Sequence, residues 1–314
     1  EAPAHGRGLR GSVRITLISV PYDLGRADVG SGRGPGVYLD AGAAEALRAR
    51  GHEVDVVGVR RAAPFRNELD AVLDVDRGVA AAVAEALRDG SFPLVVAGNC
   101  NVTLGVRAGL QRGGRQEASL LWLDAHGDFN TPDTTESGYL DGMPLAMLCG
   151  RAHRDAVEQQ LVMAPLAEAA VLHAGGRDFD RRERDSLLAS AVRVIEGDEL
   201  LRRAAQGALA PLLDGFAAER RVATGLEPGE APPLHLHVDI DVLDPSAAPG
   251  VTFPAPNGLS AGQLLELIDL VRERFDVVAL TVTSFTPERD EAGTTLAAGL
   301  AVLQRVAAEL VPRP

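Results

Sequence analysis

The sequence predicts an α/β fold of three layers (an αβα sandwich), in which helices cover both faces of a mainly parallel, roughly eight-stranded sheet. Short apolar or β-branched runs alternate along the chain with longer segments rich in Ala, Leu, Arg and Glu. The apolar runs are nearly continuous rather than alternating in polarity, which is typical of strands buried on both faces. Because no change of composition marks a boundary, we predict one domain over residues 13–314, after a polar, Gly-rich leader over residues 1–12.

The predicted strands are the short apolar runs, and each ends at a polar or turn-forming residue. In chain order they are Val13–Val20, Glu53–Val59, Pro93–Ala97, Ser119–Asp124, Ala170–Gly175, Val192–Ile195, His235–Asp241 and Phe275–Val282. The predicted helices are the longer segments between them. They lie near Gly36–Arg50, Leu69–Asp89, Val102–Gln111, Asp141–Cys149, Arg181–Ala189, Glu199–Gly207, Ala208–Arg220, Ala261–Arg274 and Glu291–Val311.

The composition excludes several classes of protein. The formal net charge is −13 and no basic stripe is present, which argues against a nucleic-acid partner. No apolar stretch approaches the ~18–20 residues that span a membrane, and the first residues lack the apolar core of a signal peptide. The two cysteines, Cys100 and Cys149, are too few for a disulfide framework. We therefore predict a cytoplasmic protein without a membrane partner.

Two polar clusters follow predicted strands and indicate metal binding. Asp124, His126 and Asp128 are spaced two residues apart, which places them on one face of an extended segment. Asp239 and Asp241 share a face in the same way after a later strand. Like charges so close repel each other, and a divalent cation removes that penalty. The alternatives are ordinary ones: an Asp at a strand end often caps a helix, and a lone His is often only hydrogen-bonded.

These segments resemble the signatures of the arginase/agmatinase (ureohydrolase) family. Residues 124–138, Asp-Ala-His-Gly-Asp-Phe-Asn-Thr-Pro-Asp-Thr-Thr-Glu-Ser-Gly, are similar to its second signature, and residues 237–245 to its third. Residues 97–101, Ala-Gly-Asn-Cys-Asn, fall where its first signature belongs. Residues 19–22 and 175–180 match further family segments, and the resemblance runs from Ile15 to about Val311.

The resemblance implies a centre of two divalent metal ions, Mn²⁺ in the family, whose bridging hydroxide attacks a guanidinium carbon and releases urea and an amine. Asp124 and Asp239 would contact both ions. Asp128 and Cys100 would complete one ion, and His126 and Asp241 the other. Asp128 could also accept the proton of the attacking water. The resemblance further implies a guanidino-type small-molecule substrate and a homo-oligomer, a trimer or hexamer.

Position 100 is the first departure from the family pattern, because Cys100 stands where the family has a histidine ligand. It is either a buried, inert cysteine or a thiolate ligand with a pKa depressed by a nearby dication. A thiolate would shift the metal preference from Mn²⁺ toward Zn²⁺ or Fe²⁺. A cysteine here resembles the branch of the family that hydrolyses Nω-hydroxyarginine.

Positions 141 and 284 are the other departures. Asp141 replaces a family histidine and is an acid/base group, a partner for a cationic end of the substrate, or the N-cap of the helix that follows. Ser284 replaces a glutamate that holds the guanidinium, so a bidentate charge-assisted pair is lost. A hydroxyguanidine, a ureido group or an amide is then a better scissile unit than an unmodified guanidinium. Glu288 is near enough in sequence to substitute for that glutamate.

Four further positions match residues that hold the α-amino and carboxylate ends of an amino acid in the family: Asn130, Ser137, Asp180 and Glu183. For Asp180 and Glu183, an ordinary place in the first turn of a helix remains the alternative. The leading hypothesis is a binuclear metallohydrolase that cleaves a C–N bond, with a hydroxyguanidine such as Nω-hydroxyarginine as one candidate substrate. The rivals are ordinary agmatinase or guanidinobutyrase activity, and an arginase-like scaffold that has lost turnover.

Overall fold

A sheet of eight parallel strands forms the centre of the computed structural model, which describes residues 12–308 and 310. The strands of this sheet are β1 (Arg14–Val20), β4 (Glu53–Gly58), β5 (Phe92–Ala97), β6 (Ser119–Leu123), β7 (Val171–Ala174), β8 (Arg193–Ile195), β9 (Pro233–Asp239) and β10 (Asp276–Thr283). Their spatial order is β4-β1-β5-β10-β9-β6-β7-β8. The short strands β2 (Tyr22–Asp23) and β3 (Arg26–Ala27) pair antiparallel outside the sheet.

Helices pack against both faces of the sheet, as the sequence predicts. They are α1 (Gly34–Asp40), α2 (Ala43–Arg48), α3 (Glu68–Arg88), α4 (Val102–Arg112), α5 (Pro144–Leu148), α6 (Arg154–Leu161), α7 (Arg181–Leu188), α8 (Gly197–Ala205), α9 (Ala210–Ala223), α10 (Ala261–Arg274) and α11 (Thr294–Ala307). One apolar core joins the sheet to α1, α2 and α8–α11, and two smaller cores join the opposite face to α3–α7. The predicted three-layer fold is therefore confirmed.

The carboxyl ends of four neighbouring strands determine where a ligand can bind. Strands β5, β10, β9 and β6 are adjacent in the middle of the sheet. They are buried along their length, which accounts for their continuous apolar sequences. Because all four run in the same direction, the residues that follow them meet at one edge of the sheet. Ligands of open α/β sheets bind at this edge.

The predicted helices differ from the observed ones in three places. The segment Gly36–Arg50 forms two helices, because the chain breaks at Gly42 with a φ of 82°. The prediction missed α6, and α11 begins only at Thr294, after Gly293 at a φ of 69°. The predicted leader lies outside the described residues except for Ser12, as does the predicted helix end at Val311. Within residues 12–308 and 310, no helix is both long and apolar enough to cross a membrane.

Candidate metal centre

A cavity of about 550 Å³ lies at the carboxyl ends of the four central strands. The structure brings every site residue named from the sequence to its walls. These residues are Cys100, Asp124, His126, Asp128, Asn130, Ser137, Asp141, Asp180, Glu183, Asp239, Asp241 and Ser284. They come from segments that lie up to 184 residues apart in the chain. The clustering that the sequence predicts at this edge of the sheet is therefore present.

The loop after β6 holds Asp124 and His126 close to the loop after β9. Asp124 accepts hydrogen bonds from the Trp122 indole N–H at 2.9 Å and from the His126 backbone N–H at 2.7 Å. The Nδ1 atom of His126 lies 3.1 Å from Asp241 Oδ2 and 3.4 Å from Asp124 Oδ1. One nitrogen and two carboxylate oxygens thus face one another, a donor set that suits a divalent ion.

The loop after β9 is held by its own backbone and by a half-buried arginine. Asp239 ends the strand, and its Oδ1 accepts the Asp241 backbone N–H at 2.9 Å. Asp241 Oδ1 accepts the backbone N–H of Ala125 at 3.1 Å, which ties the two loops together. The Arg177 guanidinium donates to the carbonyl oxygens of Asp241, at 2.8 Å, and Leu243, at 3.1 Å. The two N–H bonds orient the carboxylates of Asp239 and Asp241, and the arginine bonds hold the backbone of the loop.

Cys100 contributes a sulfur atom at the opposite side of the cluster. Its Sγ lies 2.9 Å from Asp239 Oδ2, 3.1 Å from Thr283 Oγ1 and 4.0 Å from Asp124 Oδ2. Burial raises the pKa of the Cys100 thiol well above its usual range, and the neighbouring Asp239 raises it further. A thiolate at this position therefore needs a nearby cation, and the thiol otherwise donates its hydrogen bond to Asp239.

The electrostatics of the cluster fit bound cations. Burial raises the pKa of Asp239 to about 7, with a further contribution from Asp241. Burial, and then Asp124, raise the pKa of Asp128 well above its ordinary value. Burial alone would lower the pKa of His126, but Asp241 and Asp124 raise it. Carboxylates desolvated this closely gain from divalent cations, and their oxygens are hard ligands of the kind Mn²⁺ prefers. The residues present therefore fit a metal centre.

Asp128 and Ser284 have left-handed backbone conformations, with φ of 50° and 69°. Such conformations are strained for residues other than glycine and often occur at functional sites. The carbonyl of Asp128 accepts the Leu145 N–H at the start of α5, at 2.9 Å. The Ser284 N–H donates to Gly98 O at 3.1 Å, and its hydroxyl donates to Asp239. The strain is thus held in place by neighbouring elements.

Asp141 is fixed by the asparagines on either side of Cys100. It accepts the Asn99 side-chain N–H at 2.7 Å, and the backbone and side-chain N–H groups of Asn101 at 3.0 and 2.6 Å. Burial raises the pKa of Asp141 well above its ordinary value, although the asparagine bonds oppose that change. The suggestion that Asp141 caps the following helix is wrong. Met143 is the N-cap residue of α5, and it makes no side-chain capping bond.

The outer wall of the cavity contains Asp180 and Glu183, which also begin α7. The two form a capping box, in which Glu183 accepts the Asp180 backbone N–H at 3.2 Å. Asp180 additionally accepts the Asn130 side-chain N–H at 3.0 Å. Burial raises the pKa of Glu183 to about 7. The helix-terminal role is therefore confirmed for both residues, and both still line the cavity.

Glu288 does not take the place of the missing glutamate, because its carboxylate pairs with Arg33 at 2.6 Å, in an exposed position. Tyr139 could be expected from the sequence to form a wall of the site or simply to be buried, and it lines the cavity, whereas sequence reasoning missed its aromatic partner Phe253. The rings of Phe253 and Tyr139 meet at 5.3 Å, and Phe253 also lies 6.3 Å from the His126 ring. Nothing in the sequence around Phe253 signals this contact.

A further residue missed by sequence reasoning is His237, whose ring nitrogen lies within 4.8 Å of the ligand atoms of Cys100 and Asp124. The sequence placed it in the third signature without a role. His237 could have been found from the sequence, because it lies two residues before Asp239. The same spacing indicated that Asp239 and Asp241 share a face.

This parallel sheet, with acidic loops gathered at its carboxyl edge, defines an α/β protein with a candidate metal centre. The sequence profile of the arginase family matches residues 13–308, and the chain belongs to this family of amidinohydrolases, enzymes that hydrolyse C–N bonds. Arginase from Bacillus subtilis (strain 168) is 30% identical over 254 residues, covering 78% of this chain and 81% of the relative.

Solved structures agree with this assignment. The arginase structure from Bacillus caldovelox superimposes with a TM-score of 0.81 at 26% identity, covering 95% of this chain and 99% of that one. The proclavaminate amidino hydrolase of Streptomyces clavuligerus, at a TM-score of 0.63 and 23% identity, covers 96% of this chain and 94% of that one. This second likeness concerns the fold alone.

Proposed function

We propose that the chain hydrolyses a guanidino-type small molecule at a centre of two divalent metal ions. The observation that carries the proposal is that six candidate ligands line one cavity: Cys100, Asp124, His126, Asp128, Asp239 and Asp241. Ligand atoms of three of them, Asp124, His126 and Asp241, lie within 4.8 Å of one another. Asp124, His126 and Asp241 would hold one ion. Cys100, Asp128 and Asp239 would hold the other, with Asp124 and Asp239 facing both. Oxygen ligands predominate, which supports Mn²⁺ as the ion of the carboxylate-rich half.

The remaining residues would bind and orient the substrate. Divalent ions, when bound, supply a water of lowered pKa and positive charge near the developing negative charge. Asp128 is buried, and its backbone carbonyl is hydrogen-bonded to α5. Its carboxylate would accept the proton of the attacking water. Asn130, Ser137, Asp180 and Glu183 would hold the polar ends of an amino acid. Tyr139 and Phe253 would limit the entry of bulk water at the mouth.

A hydroxyguanidine such as Nω-hydroxyarginine is the substrate we favour over arginine. Ser284 hydrogen-bonds Asp239 and offers no charge to a guanidinium, and Glu288 is paired elsewhere. Water would add to the central carbon, and the C–N bond to the side chain would break. The products would be the side-chain amine and hydroxyurea. Family resemblance also supports a trimer or hexamer, and the two free cysteines support a reducing cytoplasm as its location.

The deciding experiment combines metal content with a substrate panel. Protein is dialysed against excess Mn²⁺, its bound ions are counted by elemental analysis, and amine release is measured from Nω-hydroxyarginine, arginine, agmatine and 4-guanidinobutyrate. We expect about two ions per chain and the fastest turnover with the hydroxyguanidine. Faster turnover of agmatine or 4-guanidinobutyrate would indicate the ordinary family activity instead. Bound ions without turnover of any compound would favour a scaffold.

Two variants sharpen that experiment. Ser284→Glu should raise the turnover of unmodified guanidines relative to the hydroxyguanidine, because it restores a charged partner. Cys100→Ala should weaken binding of the second ion by at least about tenfold, while Cys149→Ala, a cysteine outside the cavity, is the matched control. Unchanged metal affinity in both Cys100→Ala and Cys100→His would remove Cys100 from the ligand set.

A further inference from the structure

His237 is a buried imidazole beside the metal centre that the proposed function leaves without a role. Its side chain is fully buried, and it lies two residues before Asp239 on β9, so both point to the same face of the strand. Its ring stacks on Trp122 of β6, with centroids 3.8 Å apart and planes 16° from parallel. Trp122 in turn donates to Asp124. The imidazole is thus packed directly against the residues that support the cluster.

The hydrogen bonds of His237 leave one ring nitrogen free. Nδ1 lies 2.9 Å from the hydroxyl of Thr103. Among residues 12–308 and 310, Nε2 has no hydrogen-bond partner, although it is buried. A buried polar atom left without a hydrogen-bond partner destabilises the folded state. Histidine ligands of metals show this arrangement, because one ring nitrogen is hydrogen-bonded and the other binds the ion.

The neighbours of His237 offer the other ligand atoms of a four-coordinate metal site. A ring nitrogen of His237, the Cys100 sulfur and an Asp124 carboxylate oxygen lie within 4.8 Å of one another. Tetrahedral zinc, with bonds of about 2.0–2.3 Å, holds its ligand atoms about 3.3–3.8 Å apart, so an approach of about 1 Å would close the set. Asp239, 2.9 Å from the sulfur, is available as the fourth ligand. His237 would then take the place in this ligand set that the proposed function gives to Asp128, and Asp128 would keep its role as proton acceptor.

We propose that His237 is a ligand of the ion on the Cys100 side, which makes this half of the centre a nitrogen–sulfur–oxygen site that prefers Zn²⁺ to Mn²⁺. The inference rests on the proposed metal centre and deepens it. Thiolate and imidazole favour zinc, whereas carboxylates suit manganese. The other half, with Asp124, His126 and Asp241, keeps its mainly oxygen ligands. The centre would then hold two unlike ions.

Nitrogen NMR of the wild-type protein tests the inference without any variant having to fold. Histidine labelled with ¹⁵N in the ring is incorporated, and Zn²⁺ is added in steps. We expect a ring nitrogen of His237 to shift strongly as the first ion binds. His235 is the internal control, because it is buried on the same strand with its Nε2 bonded to Thr281 at 2.8 Å. Its resonances should stay in place.

Variants then measure the contribution of the imidazole. His237→Asn keeps an amide near Thr103 and removes the distal ring nitrogen. We expect Zn²⁺ affinity on the Cys100 side to fall by at least about tenfold, and Mn²⁺ affinity of the other half to change by less than about twofold. His235→Asn should leave both affinities unchanged. The absorption of Co²⁺-loaded protein reports separately whether the Cys100 thiolate is bound.

The outcomes separate this inference from the proposed function. If Co²⁺ absorption shows a bound thiolate while the His237 resonances do not move, His237 is a packing residue and the metal centre stands without it. If the wild-type protein binds no ion, both the metal centre and the ligand role of His237 are overturned. If His237→Asn does not fold, the wild-type titration decides.

Discussion

At the scale of single residues, the contacts of Asp141 explain why asparagines flank Cys100. Among residues 12–308 and 310, the side chain of Asp141 has no cation as a hydrogen-bond partner and accepts from N–H groups of Asn99 and Asn101. Amide side chains donate to a carboxylate, whereas acidic side chains at those positions would repel it. Because Asp141 lies about forty positions from the two asparagines, the sequence could show that Asp141 departs from the family but not that it contacts them.

Exchanging the partners tests this explanation. Asn99→Asp should lower the free energy of unfolding by at least about 1–3 kcal/mol, because two buried acids would then face each other. Asp141→Asn should cost a similar amount, since two N–H₂ groups would meet. The double variant should recover much of the loss, because an amide again donates to a carboxylate. Urea unfolding of the four proteins measures the coupling, and additive losses would contradict it.

At the scale of elements, the turn after β5 shows why Gly98 is needed. A Cβ atom at this position would lie 2.2 Å from Tyr22 O and 2.8 Å from Gly32 N, closer than atoms can approach. The carbonyl of Gly98 also accepts the Ser284 N–H at 3.1 Å. This turn directs Asn99 and Cys100 into the cavity. Its backbone therefore has to pass close to two other segments, which only glycine allows.

We expect Gly98→Ala to lower both the melting temperature and the metal affinity, because the turn must shift away from its neighbours and Cys100 shifts with it. The matched control is Gly36→Ala in α1, where a Cβ would meet nothing within 4 Å. That change should be neutral or stabilising by up to about 1 kcal/mol. Thermal unfolding with and without Mn²⁺ distinguishes the two. If both variants melt at the same temperature with and without Mn²⁺, Gly98 is not needed for the close packing of this turn.

At the scale of elements too, Asp76 of α3, which packs against α4, is a buried acid whose effect on the free energy of unfolding depends on pH. Its carboxyl oxygens are buried without a hydrogen-bond partner in the described part of the chain. Burial raises the pKa of Asp76 well above its ordinary value. The folded protein therefore keeps a proton that the unfolded chain releases. Stability is lost as pH rises from the ordinary Asp pKa toward the raised one, by up to about 1.4 kcal/mol per pH unit.

Asp76→Asn should remove this pH dependence. The variant should gain stability over the wild type as pH rises above the ordinary Asp pKa, and its advantage should grow with pH until the raised pKa of Asp76 is reached. Urea unfolding at several pH values measures it. Asp55→Asn, at an exposed position of β4, controls for the change in net charge. A constant difference across the range would mean that Asp76 does not titrate as described.

The strands were predictable and several helix ends were not, for physical reasons. Continuous apolar runs such as Pro93–Ala97 leave few options other than a buried strand, and all eight were found. The boundary at Gly42 depends on a left-handed backbone that the composition of the segment does not reveal. Ligand candidates on one strand were visible from their spacing. The contact of His237 with Trp122 on the neighbouring strand required the register of the sheet, and its contact with Thr103 required the packing of α4.

At the scale of the whole molecule, the metal centre should contribute to stability. Ions that bind only the folded protein stabilise it, by about 2.7 kcal/mol at a free concentration a hundred times the dissociation constant. They also relieve repulsion among buried carboxylates. We expect a chelator to lower the melting temperature of the wild type and to affect Asp124→Asn far less. Identical melting of the wild type with and without chelator would contradict an ion-stabilised fold.

The order of strands has a consequence for how the chain assembles. Strand β10 is the last in sequence, yet it lies between β5 and β9. Until it is made, β4-β1-β5 and β9-β6-β7-β8 have no strand to join them. Pairing between segments so distant in sequence forms slowly. A nascent chain that has not yet reached β10 therefore carries all of the proposed metal ligands but no complete site. The chain would therefore bind its ions only after β10 has paired with β5 and β9.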